Sequence, residues 1–165
     1  MTKQLCKVWL ILAAVLGLVV AASAQPPPTT SGGSGMALLN LEDSVALHGY
    51  DPVAYFTRNR AVKGSKRVIE RLGGAEYHFA SWGDRYEFLR DAPRYQPQFG
   101  GYCATSMARG RLEDINPKLF VIYDGKLYLF SSPEAQDIFL RDPRRIVYDA
   151  RQNYFKLATQ QRRTY

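Results

Sequence analysis

The sequence predicts a small single α+β domain of antiparallel hairpins and two short helices, arranged as two pseudo-symmetric strand-strand-helix halves. Three observations point there. The chain echoes itself at an offset of 51 residues, each copy holds a tight-turn pair between apolar runs, and each copy then shows a serine followed by helically spaced apolar residues.

The echo places Gly74 on Gly125, Tyr77 on Tyr128, Phe79 on Phe130 and Ser81 on Ser132. It continues with Phe88-Leu89-Arg90-Asp91 on Phe139-Leu140-Arg141-Asp142, making eight identities at one shift. In the second copy, Phe120 to Tyr123 and Lys126 to Phe130 read as strands joined by Asp124-Gly125, a pair suited to the left-handed angles of a two-residue hairpin. Ser132-Pro133-Glu134 reads as a helix start, with a capping hydroxyl, proline at the first position and an acid in the first turn. Asp142-Pro143 marks the end of that helix, because proline disfavours helix in the residue before it. The first copy offers Gly73-Gly74 as turn, Tyr77 to Ala80 as strand and Ser81 as cap, with Trp82, Tyr86 and Leu89 at helical spacing. Gly49-Tyr50-Asp51 and Gly101-Tyr102-Cys103 precede the two units 52 residues apart, so Asp51 and Cys103 are expected at equivalent corners.

Outside this domain, residues 1–24 read as a secretory signal peptide. Lys3 and Lys7 give a basic start, Val8 to Val20 an apolar run, and Ala22-Ser23-Ala24 a small-residue cleavage site. The protein is therefore expected to be exported, into a periplasm or beyond the cell, and to lack a membrane span once the signal is cleaved. Residues 25–35, rich in Pro, Gly and Ser, read as a disordered linker, and residues 159–165 as a polar tail. Cys6 falls within the signal, which leaves Cys103 as the mature chain's single thiol. The formal charge of +7 becomes 7 − 2 = +5 without Lys3 and Lys7. A basic surface can attract nucleic acid or anionic lipid, but export argues against nucleic acid and the charge reads as a solvated surface; the partner expected is an unknown protein or a small ligand.

Four segments carry a resemblance to a known family. They are Gly49-Tyr50-Asp51-Pro52-Val53-Ala54-Tyr55-Phe56, Tyr77-His78-Phe79-Ala80-Ser81, Pro97 to Ala104, and Asp124 to Leu129. Together they resemble the YHS-domain family, most closely its stand-alone exported branch, and the match spans 36–158. The resemblance implies structural roles for Gly49, Tyr50, Pro52, Tyr55, Gly100, Gly101, Tyr102 and Gly125. Shorter family members carry cysteines thought to hold a metal, and the corresponding positions here are Ala54, Ala80 and Asp84. The thiolates that would favour copper(I) or zinc are therefore missing from this chain.

The remaining ligand types are His48, His78, Cys103 and Met107, with Asp51 beside them. Strand alternation sets His78 on the face opposite Tyr77 and Phe79, toward the surface. Cys103 follows two glycines and is either a compact buried hydrophobe or a functional thiol. Asp51 suits a turn in which its carboxylate accepts backbone N–H groups. If the Gly-Tyr turns meet, His48, Asp51 and Cys103 form a corner able to take copper, zinc, nickel or a small ligand, with Asp51 orienting His48. Tyr50, Tyr55, Tyr95, Tyr102 and Tyr123 are expected in the core, with some hydroxyls lining a polar cavity. Two functions remain open: a non-enzymatic exported binding module, or a thiol-dependent enzyme or redox protein using Cys103 with a histidine base. No recognised catalytic motif supports the second.

Overall fold

The computed structural model describes residues 38–162; the expected signal peptide, the linker and residues 163–165 of the expected tail lie outside the described residues. The first half begins with β1 (Leu41–Glu42) and β2 (Val45–Ala46), then a 3-10 turn (Leu47–Gly49) and α1 (Pro52–Thr57). It continues through β3 (Ser65–Leu72), β4 (Ala75–Phe79), α2 (Trp82–Arg90) and α3 (Ala92–Tyr95). The second half runs through a 3-10 turn (Gln98–Gly101), α4 (Ala104–Met107), β5 (Asn116–Tyr123), β6 (Lys126–Phe130), α5 (Pro133–Arg141) and α6 (Pro143–Arg162). One sheet has the order β1-β2-β4-β3 and the other pairs β5 with β6; only β2 and β4 run parallel within them.

The duplication extends well past the identities that signal it. Strands β3 and β5 are both eight residues long and start 51 residues apart. Each breaks register at the same point, between Ser65 and Ile69 in one and between Asn116 and Phe120 in the other. Both hairpins turn through left-handed pairs, Gly73-Gly74 (φ 62°, 88°) and Asp124-Gly125 (φ 49°, 66°), as tight right-twisted hairpins require. The parallel bridge Val45–Glu76 has its counterpart in Pro97–Leu127. Equivalent aromatics pack equivalently: Tyr77–Phe88 at 4.9 Å and Tyr128–Phe139 at 5.1 Å, Phe79–Phe88 at 5.2 Å and Phe130–Phe139 at 5.1 Å. These tilted pairs are the centre of each half's core, and each adds to plain area burial.

Both serine caps form. Ser81 Oγ accepts from Asp84 N at 3.1 Å and Ser132 Oγ from Ala135 N at 3.2 Å. Replacing either by alanine is expected to lower unfolding free energy by about 0.5–2 kcal/mol. The Ser81 loss should be the larger, because its hydroxyl also donates to Asp84 Oδ2 at 2.7 Å. Paired chemical-denaturation curves check the ranking.

Three expectations are corrected. The described residues hold six α-helices rather than two, because α1, α3 and α4 span only six, four and four residues, too short to show a period. Pro143 does not simply end a helix. It occupies the first position of α6, where proline is pre-set, and Asp142 Oδ1 accepts from Arg145 N at 3.1 Å. The helix then continues to Arg162, so residues 159–162 of the expected tail are helical. Ile146, Ala150, Tyr154, Leu157 and Ala158 form the inner face that docks it. Finally, His78 is buried at 4% exposure rather than turned to the surface. Strand β4 is central, flanked by β2 and β3, and the glycines Gly49 and Gly64 lie against the side His78 takes.

Candidate functional site

Each half carries three consecutive residues in the left-handed region just before its Tyr50 or Tyr102. In the second half they are Phe99, Gly100 and Gly101 (φ 54°, 63°, 86°); in the first they are Leu47, His48 and Gly49 (φ 56°, 50°, 73°). Holding an L-residue there costs about 1–2 kcal/mol, so His48 stands at a strained position where its counterpart is glycine. The strained turn aims His48 Nε2 at Asp114 Oδ1, 2.8 Å away. A carboxylate only accepts, so Nε2 carries the proton and Nδ1 is the nitrogen left for other chemistry. Burial works against the Asp114 charge, yet hydrogen bonds from Asn40, Ile115 N–H and His48 hold its carboxyl below the usual range.

His78 has the same kind of partner. Its Nε2 donates to Glu76 Oε1 at 2.9 Å, and that bond, with Arg71 at 2.6 Å from the other oxygen, holds Glu76 below the ordinary carboxylate range. Its Nδ1 lies 3.0 Å from where a Cβ on Gly49 would stand, so glycine is needed there for space as well as for φ. Gly64 is tighter still, because an added Cβ would meet the His78 backbone at 2.5 Å.

The two histidines line one cleft of about 300 Å³, together with Glu42, Asp43, Lys63 and Lys66. Lys63 Nζ is held in place by the His48 carbonyl oxygen and by the face of the Tyr50 ring, 4.8 Å from its centroid. Two imidazoles braced by carboxylates and two ammonium groups thus converge on one opening. An imidazole fixed through one nitrogen presents the other in a defined direction, the preparation a ligand-binding histidine needs.

Asp51 lies elsewhere. It is fully buried and caps α1, Oδ1 accepting from Val53 N at 2.8 Å and from Ala54 N at 3.4 Å, while Oδ2 accepts from Ala80 N at 2.8 Å. The expectation that its carboxylate serves a turn is met. Its side chain is also hydrogen-bonded to Asp84, which Arg58 grips through both oxygens at 3.0 and 2.7 Å. Burial, with the Asp84 charge beside it, pushes the Asp51 carboxyl up to about 6, against the pull of the Ala80 and Val53 amides. Burial acts on Asp84 too, but Ser81 and Arg58 outweigh it and hold that carboxyl below the usual range. Below about pH 6 the pair therefore holds one proton, carried on Asp51. Ala54, Ala80 and Asp84, the positions where the family resemblance places metal-binding cysteines, all border Asp51. Here an acid pair and an arginine fill that point.

Cys103 is the counterpart of Asp51: it precedes α4, is fully buried, and its thiol accepts from Ser131 Oγ at 3.4 Å. Ser131 corresponds to Ala80, so the two corners match in construction, each bonded to the residue after its own strand. Met107 is fully buried as well. Nearby, Ser106 donates to Glu113, and Ser106 and Ser131 hold the Glu113 carboxyl below its usual range.

The expected corner of His48, Asp51 and Cys103 is thus not assembled. Pseudo-symmetry makes the Asp51 and Cys103 corners equivalent, and each is closed against its own strand and helix. Among the described residues no group of three or more His, Cys, Asp or Glu is arranged to hold a metal ion. The structure instead pairs His48 with His78. The lysines Lys63 and Lys66 were missed in the sequence, where nothing in their spacing distinguishes them from solvated surface charge. Tyr55, also fully buried, donates its hydroxyl to the Pro117 carbonyl at 2.9 Å, a structural bond between the halves.

No protein-family model, no curated protein and no solved structure matches this chain.

Proposed function

We propose that this chain is an exported, non-enzymatic binding module of the YHS type, and that its ligand is a small anion seated in the His48–His78 cleft. The observation that carries the reading is the convergence of two carboxylate-braced histidines and two lysines on one opening of about 300 Å³. Lys63 and Lys66 favour a carboxylate or phosphate group, while Nδ1 of His48, an acceptor once Nε2 donates to Asp114, together with Glu42 and Asp43, suits a hydroxyl or amino group on the same ligand. The apolar run at Val8 to Val20 and the cleavage site at Ala22 to Ala24 support export. Cys103 contributes no open thiol and its side-chain partner is a serine rather than an imidazole, which favours binding over thiol chemistry.

The test combines calorimetry with NMR of the imidazole nitrogens. Titration with citrate and with inorganic phosphate is expected to shift both His48 and His78 resonances. Substituting Lys63 by alanine should weaken binding roughly tenfold or more, the size expected for a lost charge-assisted hydrogen bond, and His48→Ala should weaken it by less, as a lost neutral hydrogen bond would. Cys103→Ser should bind as the parent does. Parallel titrations with copper(I), zinc and nickel address the metal alternative. Unmoved imidazole resonances with both anions, or binding that vanishes in Cys103→Ser, would overturn the proposal.

A further inference from the structure

Helix α6 is the element in which the two halves differ most. Its counterpart α3 has four residues, whereas α6 has twenty. The inner face accounts for part of that length. Ala150 and Ala158 are buried, and Asn153 Nδ2 donates to the carbonyls of Met107 and Ala108 at 3.2 and 3.0 Å. Packing does not account for the outer face. At 100° per residue, Arg144, Tyr148, Arg151 and Phe155 fall within one narrow stripe directed away from the domain. Tyr148 is 62% exposed and Phe155 74%, the latter the most exposed large apolar side chain among the described residues. Arg145 and Lys156 lie to one side of the stripe on the same helix and are exposed, and Arg141, the exposed last residue of α5, precedes it. Between Arg141 and Arg162 the chain carries six basic and two acidic residues, and one of the acids, Asp149, is paired with Arg145 at 2.7 Å.

We infer that the outer face of α6 docks the domain onto an anionic phospholipid surface. Charge complementarity identifies the occupant as anionic, since the stripe is basic along its whole length. The aromatic residues favour a bilayer among anionic partners. A straight helix offers a convex ridge, and exposed Tyr and Phe alternating with Arg fit the headgroup and upper acyl region, where aromatic rings and guanidinium groups settle together. Helix α6 would lie in the plane of the interface, with Phe155 and Tyr148 entering it and the arginines meeting lipid phosphates. No helix among the described residues is long and apolar enough to cross a membrane, so the contact is peripheral.

Hydroxyl-radical footprinting read by mass spectrometry tests this on the whole chain, because it reports residue by residue whatever the N-terminal segment does. Vesicles of phosphatidylglycerol and phosphatidylcholine are expected to protect Tyr148 and Phe155 severalfold. Trp82 and Tyr86, exposed at 66% and 64% on α2, serve as internal references and should stay reactive. Pure phosphatidylcholine should protect neither pair. The double variant Arg144→Glu/Arg151→Glu reverses two exposed charges and should lose the protection, with partitioning roughly 100-fold weaker. The proposal is overturned if Tyr148 and Phe155 remain reactive on anionic vesicles, or if neutral vesicles protect them equally. Equal protection by heparin would also overturn it, by assigning the stripe to a soluble polyanion.

Discussion

Replacing Asp51 by alanine is expected to destabilise the domain by about 3 kcal/mol. The side chain is fully buried and satisfies three backbone N–H groups, those of Val53, Ala54 and Ala80. Loss of a helix cap alone costs about 0.5–2 kcal/mol, and each buried donor left without a partner adds a further ~1–3 kcal/mol unless the site relaxes or admits water. Asp84 also loses the carboxyl to which it is hydrogen-bonded. Asparagine should cost less than alanine, and for a definite reason. Its oxygen can still cap α1 and its amide can donate to Asp84, but the amide nitrogen cannot accept from Ala80 N as a protonated carboxyl's second oxygen does.

The same site gives stability a pH dependence whose sign is fixed. The folded carboxyl titrates near 6, above its ordinary value of 3.8, so the folded domain holds the proton more tightly than the unfolded chain does. Its stabilising contribution is complete below about pH 4 and is lost as pH rises through about 6. Urea unfolding at pH 4.5 and pH 7.5 is therefore expected to show a smaller difference in Asp51→Asn, which has nothing to titrate there, than in the parent. An unchanged pH difference in that variant would remove Asp51 as the source. A loss below 1 kcal/mol in Asp51→Ala would show that its three amides find other partners.

The repeat was legible because the residues that define it are constrained by backbone geometry. Gly74 and Gly125 sit at left-handed hairpin positions, Ser81 and Ser132 cap helices, and Asp91 and Asp142 terminate them with nearly the same angles (φ −153° and −151°). Other equivalences share few residues. Leu47-His48-Gly49 and Phe99-Gly100-Gly101 make the same three-residue left-handed turn, but only Gly49 and Gly101 match in type. Helix α6 escaped notice for a different reason. Its inward residues keep a helical period, but Pro143 reads as a stop when it is in fact the start of the next helix.

The candidate site was half legible. His48 stands out in the sequence beside the Gly-Tyr turn, and His78 inside the strand motif, yet their association depends on β4 passing beneath the first turn. That contact links Gly49 and Gly64 to His78, residues far enough apart in sequence that no local pattern reports it. The corner drawn around Asp51 and Cys103 erred in the opposite direction. Equivalence of Asp51 and Cys103 under pseudo-symmetry does not imply proximity: Asp51 is bonded to Ala80 and Cys103 to Ser131, each within its own half.

Gly100→Ala is expected to be the most damaging single-methyl change in the domain, with a loss of at least about 4 kcal/mol or failure to fold. Two separate penalties combine. The residue has φ +63°, a conformation costing an L-residue about 1–2 kcal/mol, and its new Cβ would stand 1.9 Å from the Leu38 carbonyl oxygen and 2.9 Å from the Leu38 carbonyl carbon. Both obstacles are backbone, so no rotamer change relieves them. The segment from Leu38 to Asn40 must move, and it is tied down at several points. Asn40 N donates to Gly100 O at 2.9 Å, Tyr102 Oη to Leu39 O at 3.1 Å, and Tyr154 Oη to Leu38 O at 2.9 Å. Displacing it breaks these bonds and exposes the lower end of the second half's core, including Phe99, which packs 5.9 Å from Tyr128. Gly125→Ala isolates the first penalty, because Gly125 has φ +66° and open space where its Cβ would be. That variant should lose only about 1 kcal/mol. Urea unfolding of the two variants side by side measures the difference, and amide exchange at Asn40 reports whether the N-terminal segment has been released. Equal losses in the two variants, with Asn40 still protected, would mean that the close approach of Gly100 to Leu38 is not a constraint on the fold.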